Sequence, residues 1–195
     1  VTLLADSPNS GSFDEARIVN LGLNGTVTGT VKVTTTGDVE VLSYGPGAAS
    51  IGNFSNPRDI DYNPIQGKNS GSVLVQAGGN VTVSASDNSS YASIENGGAA
   101  SGGSVTVNAT GYVLESAADG GGALIGTRVF GNGGSNVSVT SANSYVEVEA
   151  TGSGSSAQLG NIEDLTSGSV NGKVTVTAAN ASNGSIIVHA DSNST

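Results

Sequence analysis

The sequence contains no cysteine, no methionine and no tryptophan, and only 4% of its residues are aromatic. Without cysteine the chain can form neither a disulfide framework nor a thiolate metal site, and it has no thiol nucleophile. No run of about 18 apolar residues is present, so no segment can cross a membrane as a helix. His189 is the single histidine, and one histidine without cysteine leaves too few ligands for a zinc site. No G-x-S-x-G turn accompanies it, so we expect His189 to be an exposed strand residue.

Basic residues are also scarce: 6 lysines and arginines stand against 16 acidic residues, for a net charge of -10. Binding a nucleic acid requires clustered basic side chains, so that class of partner is excluded. The chain is rich in glycine, serine, threonine, asparagine and valine and shows no sustained helical periodicity. This composition favours many short strands joined by tight turns. Valines spaced two apart argue against a disordered chain.

A repeated unit runs through the 195 residues. It begins with the pattern V-x-V, which starts at Val31, Val73, Val105, Val137 and Val174. The base period is about 32 residues, with insertions in the first and last intervals. Val1-Thr2-Leu3 resembles a degenerate sixth start near residue 1.

Two further patterns follow the V-x-V in a fixed order, although the copy that starts at Val174 lacks the closing one. The second strands are predicted at Val39-Glu40-Val41, Val81-Thr82-Val83, Tyr112-Val113-Leu114, Val146-Glu147-Val148 and Ile186-Ile187-Val188. The closing A-x-[I/L] patterns begin at Ala16, Ala49, Ala92, Ala123 and Ala157. Residues two apart on a strand point to the same face, so these apolar pairs should line one interior.

Three short strands per repeat predict an all-β parallel β-helix in a single domain, residues 1–195, with five to six rungs of about 32 residues each. One rung cannot bury its own apolar face, so neighbouring rungs must stack. A β-sandwich is the alternative, because it too consists of short strands separated by turns.

Two segments interrupt the repeat, at residues 53–71 and 160–172. Insertions in repeat proteins map to loops and often to the binding face. The candidate binding residues of the first are Asn53, Phe54, Arg58, Asp59, Asp61, Tyr62 and Lys68. Asp59 and Asp61 are the alternative catalytic pair, as are Asp14 and Glu15. Glu163 and Asp164 are weak candidates for Ca²⁺ ligands, and no other cofactor is expected.

The combination of Gly78-Gly79-Asn80 and Gly102-Gly103-Ser104 before valine pairs, with the closing Ala157-Gln158-Leu159-Gly160-Asn161, resembles the repeat regions of filamentous-haemagglutinin-like bacterial adhesins. That resemblance implies a right-handed β-helix, secretion to the cell surface, and a role in adhesion or in an extracellular rod. It supplies no catalytic residues.

We therefore expect a non-enzymatic, extracellular surface module that acts as an adhesin stalk or a structural fibre subunit. Its expected partners are further copies stacked end to end, or glycans or proteins on a host or neighbouring cell. No nucleic acid and no membrane insertion are expected. The alternative is a carbohydrate-binding or carbohydrate-cleaving β-helix, a glycoside hydrolase or lyase, that uses the acidic loop residues.

Overall fold

A computed structural model describes residues 1–6, 13–22, 26–55, 67–98, 100–129, 132–163, 169–180, 182 and 184–191, without the side chains of residues 100, 101 and 163. These residues form β-strands and contain no helix, so no helix in the described ranges could span a membrane. Every strand pairing among them is parallel. A sandwich of antiparallel strands does not have this arrangement, and that alternative is wrong.

The strands follow one another along the chain with short turns between most of them. They are β1 Thr2–Asp6, β2 Asp14–Gly22, β3 Thr26–Val27, β4 Thr30–Thr35, β5 Val39–Tyr44, β6 Gly47–Ser55, β7 Lys68–Asn69, β8 Ser72–Ala77, β9 Val81–Ser86, β10 Ser90–Gly98, β11 Ala100–Ser101, β12 Ser104–Ala109, β13 Val113–Ala118, β14 Gly122–Val129, β15 Asn136–Ser141, β16 Val146–Thr151, β17 Ser156–Glu163, β18 Val174–Ala178 and β19 Ile186–Asp191.

Successive coils of the chain contribute one strand to each of three sheets. The first sheet has the order β18-β15-β12-β8-β4, the second β1-β5-β9-β13-β16-β19 and the third β17-β14-β10-β6-β2. A small sheet, β11-β7-β3, lies between the third and first sheets along the chain. The protein is therefore an all-β repeat protein whose parallel strands stack in register, the arrangement of a β-helix or solenoid.

The register of the first sheet confirms the predicted alignment of the valine pairs. Val31, Val73, Val105, Val137 and Val174 form one column of partners across the sheet. The side chains between the paired valines, such as Lys32 and Thr106, lie on the outer face. Alternation of valine with polar residues fixes this register, because a shift by one residue would turn the whole apolar set towards water.

The second sheet corrects the prediction for the first residues of the chain. Thr2–Asp6 pairs with Val39–Tyr44, with Leu3 opposite Val41. Val1-Thr2-Leu3 therefore does not begin a further strand of the first sheet. Leu3 and Ala5 are buried and continue the inward columns of the second sheet.

The third sheet confirms the closing pattern. Its alanines form one inward column, and Ile18, Ile51, Ile94, Ile125 and Leu159 form the next. Apart from Ile18, which is 37% exposed on the edge strand β2, these side chains pack with the valines of the other two sheets in one apolar core. Burying such β-branched side chains stabilises the fold by about 1.5–3 kcal/mol each.

A column of polar side chains runs inside the same sheet, two residues beyond the isoleucines. It consists of Asn20, Asn53, Asn96, Thr127 and Asn161. Asn20 Nδ2 donates to Asn53 Oδ1 at 2.9 Å, and Asn53 Nδ2 donates to Asn96 Oδ1 at 2.9 Å. These amides also bind backbone groups of the turn before the first sheet, as in the 3.0 Å bond from Asn53 Nδ2 to the Ser72 carbonyl. The column thus satisfies buried polar groups where the chain leaves the third sheet.

Candidate functional site

The third sheet carries an unusual polar cluster on its outer face, next to the 53–71 insertion. One outward column consists of Val19, Gly52, Glu95, Gly126 and Gly160, so a single carboxylate stands between glycines. A Cβ at Gly52 would lie 2.1 Å from the Glu95 carbonyl oxygen, and a Cβ at Gly126 would lie 1.8 Å from that of Gly160. The close approach of neighbouring strands therefore requires glycine at these two positions.

Two aromatic rings pack against this glycine-rich surface. A Cβ on Gly97 would lie 3.2 Å from Cδ1 of Phe54, and one on Gly122 would lie 3.2 Å from Cδ2 of Tyr91. Phe54 and Tyr91 therefore cover backbone that has no side chain of its own. Their rings add apolar contact where the glycines provide none.

Tyr91, Glu95 and Arg128 form a hydrogen-bonded and charged group, which we call the Tyr91 cluster. The Tyr91 hydroxyl donates to Glu95 Oε2 at 2.8 Å. The guanidinium carbon of Arg128 lies 4.5 Å from the centre of the Tyr91 ring, and Arg128 Nε lies 3.9 Å from Glu95 Oε2. The arrangement combines a cation–π contact with an ion pair across β10 and β14.

The Tyr91 cluster is largely shielded from solvent. Glu95 is 3% exposed, which places a carboxylate in an environment that favours paired charges. Burial raises the pKa of the Tyr91 hydroxyl well above its usual range; the Glu95 carboxylate raises it further, and Arg128 acts in the opposite direction. Tyr91 is therefore a neutral hydrogen-bond donor at physiological pH. A general acid or base must reach its substrate, whereas Glu95 is enclosed and bound to Tyr91. These contacts therefore hold the three side chains in fixed positions on the outer face of the third sheet.

The residues predicted to bind a ligand in the first insertion lie in different environments. Asn53 is fully buried in the internal asparagine column, so its predicted role as an exposed binding residue is wrong. Phe54 lies half-buried on the outer face beside the Tyr91 cluster, and Lys68 is exposed at the start of β7. Arg58, Asp59, Asp61 and Tyr62 lie outside the described residues, and their predicted roles remain predictions.

The predicted Ca²⁺ ligands cannot be placed together. Glu163 ends β17, its side chain is not among those described, and Asp164 lies outside the described residues. Within the described ranges, no group of three or more histidine, aspartate or glutamate side chains is arranged to hold a metal ion.

The remaining acidic candidates lie on exposed strands. Asp14 and Glu15 lie on β2, and Glu15 Oε1 accepts a hydrogen bond from Arg17 at 2.6 Å. The exposed ring of His189 lies on β19, with its Nδ1 atom 3.8 Å from Glu149 Oε1. These are single contacts between side chains at the surface, which contribute little to stability.

The regular outer face of the first sheet offers only a shallow groove. Its volume is about 420 Å³, and its lining includes Thr34, Gln76, Asn108 and Thr140 from four neighbouring coils. The lining side chains carry hydroxyl and amide groups and no charge. The lining of this groove therefore has no ionisable group for acid–base catalysis.

The sequence interpretation missed a second buried carboxylate, Glu115. The predicted second strand Tyr112-Val113-Leu114 is out of frame, because Val113 pairs with Val81 and Val146. The inward residues of β13 are Val113, Glu115 and Ala117, so this glutamate faces the interior. The spacing between the first and second strands indicates the correct frame. Val81 lies eight residues after Val73, and Val113 likewise lies eight residues after Val105.

Glu115 is 0% exposed, and its Oε1 atom accepts a hydrogen bond from the Gln158 N–H of β17. Burial raises the pKa of its carboxyl group to about 8, against the opposing effect of hydrogen bonds from the backbone of Gln158 and Ile125. At neutral pH this group is therefore mostly protonated, unlike an exposed glutamate.

Comparison of the chain with protein-family models, with curated proteins and with solved structures found no match. The class of the protein is accordingly defined by its fold, as an all-β repeat protein with parallel strands stacked in register.

Proposed function

We propose that this chain is an extracellular, non-enzymatic module of a bacterial cell surface, acting as an adhesin stalk or a structural fibre subunit. In this proposal the solenoid is a right-handed β-helix of five to six rungs of about 32 residues each, as the repeat pattern and its resemblance to adhesin repeats imply. The chain needs no cofactor, and its partners are further β-helical coils or surface glycans and proteins.

The observation that carries the proposal is an apolar column that runs along the interior and reaches the surface at one end. Val146 is 0% exposed and Val148 8% exposed, whereas their register partners Ile186 and Val188 on β19 are 56% and 77% exposed. Val174, at the end of the first sheet, is 43% exposed. A strand edge with an apolar inner face is a template for a further parallel coil.

Among the described residues, each of the three sheets has a free edge strand at both ends, to which a further coil can be added in the same way. The first, second and third sheets end with β18, β19 and β17 on one side and with β4, β1 and β2 on the other, all in parallel orientation. Docking the two kinds of edge against each other is a heterologous contact, which generates a filament when the rotation does not close into a ring. We therefore propose that copies stack end to end.

Sedimentation velocity across a concentration range tests this assembly. The proposal predicts species that grow with concentration, and rods in electron micrographs. Only monomers at the highest soluble concentration would contradict end-to-end stacking. Antibody labelling of intact, unpermeabilised cells of the source organism tests the surface location, and labelling that requires permeabilised cells would contradict it.

Carbohydrate binding or cleavage is the second candidate function. One observation favours it: Phe54 of the 53–71 insertion lies on the same outer face as the Tyr91 cluster. A panel of polysaccharides separates the two candidates. Turnover abolished by Asp59→Asn or Asp61→Asn would establish the enzymatic alternative, and binding without turnover would support the adhesin.

A further inference from the structure

Glu115 occupies a position where the neighbouring coils carry valine. It lies in register with Val83 of β9 and Val148 of β16. The column continues to Val41 and Leu3 on one side and to Val188 on the other. A carboxyl group in such a column loses its hydration, and the ionised form loses far more than the neutral form. The protein must therefore hold this group by specific contacts or keep it protonated.

The contacts of Glu115 join the second sheet to the third. Its Oε1 atom accepts a hydrogen bond from the Gln158 N–H of β17, and its carboxyl group also interacts with the backbone N–H of Ile125 on β14. Both residues belong to the ladder in which Leu124 pairs with Gln158. The side chain therefore crosses the interior and ends at the seam between β14 and β17.

The other oxygen of the carboxyl group is different. Glu115 Oε2 is buried and has no hydrogen-bond partner among the described residues. Because Oε1 accepts a hydrogen bond from the Gln158 N–H whereas Oε2 has no partner, Oε2 is the oxygen that carries the proton in the neutral form. Loss of that proton would leave an uncompensated charge inside the core.

The described charged side chains around Glu115 provide no cation inside the core. From the third sheet, Tyr91 is the titratable neighbour that interacts with Glu115 electrostatically, and it is a neutral phenol. Glu95 and Arg128 alternate with the inward residues of β10 and β14 and lie on the outer face. Glu147 and Glu149 of β16 likewise alternate with Val146 and Val148. No described side chain of β9 is titratable.

We propose that Glu115 is a protonation-dependent latch, which holds the β14–β17 seam closed while its carboxyl group is neutral and loosens that seam when it ionises. In the closed state the neutral group bridges the second sheet to the Ile125 and Gln158 amides. In the open state β17 separates from β14 locally, and the carboxylate gains water. This inference concerns the stability of one seam and does not depend on the proposed function.

The direction of the pH effect follows from proton linkage. The pKa of Glu115 is about 8 in the folded state and about 4.5 when exposed. Between these values the closed state binds one proton that the open state does not. The contribution of the neutral carboxyl group to the stability of the closed state is therefore fully present below about pH 4.5. It is lost progressively as the pH rises towards 8.

Amide hydrogen exchange of the full chain at a series of pH values, corrected for the intrinsic exchange rate, tests the latch. We expect the protection of the Ile125 and Gln158 amides to fall by up to about tenfold per pH unit between pH 6 and 8. In Glu115→Gln, which keeps the shape and cannot ionise, protection should stay constant over that range. Glu147→Gln is the matched control on the outer face and should behave like the wild type.

Two results would overturn the proposal. One is that amide protection at the β14–β17 seam depends on pH in the wild type in the same way as in Glu115→Gln. The other is a pH-dependent loss spread evenly over all strands, which would indicate general electrostatic repulsion. If Glu115→Gln does not fold, Glu115→Val replaces it as the non-ionising reference, because valine is the residue in both neighbouring coils.

Discussion

Thr127 of β14 lies in register with Asn96 of β10 and interrupts the internal asparagine column. On its other side the register partner is Asn161. Thr127 Oγ1 is buried without a hydrogen-bond partner among the described residues, whereas the amides of Asn96 and Asn161 are hydrogen-bonded to the backbone. The column is therefore incomplete at this one step.

We predict that Thr127→Asn stabilises the protein. An amide there can bond its neighbours as Asn53 does, and a net hydrogen bond contributes about 1 kcal/mol. Thr127→Val, which removes the unpaired hydroxyl at constant shape, is the control and should be neutral or slightly stabilising. Urea denaturation measures both variants. Destabilisation by Thr127→Asn together with a neutral Thr127→Val would show that the turn cannot accept the amide.

Asn53 provides the opposite test within the same column. Its amide contacts Asn20, Asn96 and the Ser72 carbonyl, so Asn53→Ala leaves buried polar groups unsatisfied. We predict a loss of about 2 kcal/mol in the free energy of unfolding. Asn108→Ala, in the outer groove, should change it by less than about 0.5 kcal/mol. Equal effects of the two substitutions on the urea midpoint would contradict a structural role for the column.

The latch proposal implies that Glu115→Val stabilises the protein, and more so as pH rises. At pH 7 folding of the wild type must protonate a carboxyl group that is ionised in the unfolded chain. From the pKa of about 8 in the folded state, this costs on the order of 3 kcal/mol. The difference between variant and wild type should be small at pH 4, grow up to about pH 8 and then level off. Denaturation curves at four pH values measure it, and a difference that does not change with pH would contradict a protonated Glu115.

The Tyr91 cluster predicts an effect that depends on one hydroxyl group. Tyr91→Phe retains the ring between Gly122 and Arg128 but removes the donor to Glu95. Hydrogen bonds to charged groups contribute about 1.5–3 kcal/mol, so we expect a loss of about 2 kcal/mol. Tyr44→Phe, at a tyrosine that is 38% exposed, is the control and should have little effect. Thermal unfolding of the two variants makes the comparison, and equal melting temperatures would mean that Glu95 does not need Tyr91.

The sequence was sufficient to predict the columns that apolar periodicity controls. The valines of the first sheet and the alanine and isoleucine columns of the third sheet stand where the pattern placed them. Each of these positions alternates with polar residues, so a register shift would expose the whole set. The strand order and the all-parallel pairing follow from the same repeat.

The sequence interpretation was wrong where a polar side chain occupies an interior position. Glu115 interrupts the valine column, so the pattern around Tyr112 to Leu114 was assigned out of frame. Asn53 is predicted as a binding-loop residue because it opens the insertion at residues 53–71, whereas its amide satisfies a backbone carbonyl, that of Ser72. Polarity alone does not distinguish these positions from surface ones, and only the spacing to neighbouring coils does.

End-to-end stacking is the central claim, and two adjacent residues of β19 test it. Val188 points into the inward column and is 77% exposed, while Ile187 points outward and is 38% exposed. Val188→Lys places a charge on the face that would receive a further coil, and Ile187→Lys places the same charge beside it. Sedimentation velocity of wild type and both variants at matched concentrations is the decisive measurement. The account predicts that Val188→Lys abolishes association and that Ile187→Lys preserves it; association unchanged in Val188→Lys would contradict it.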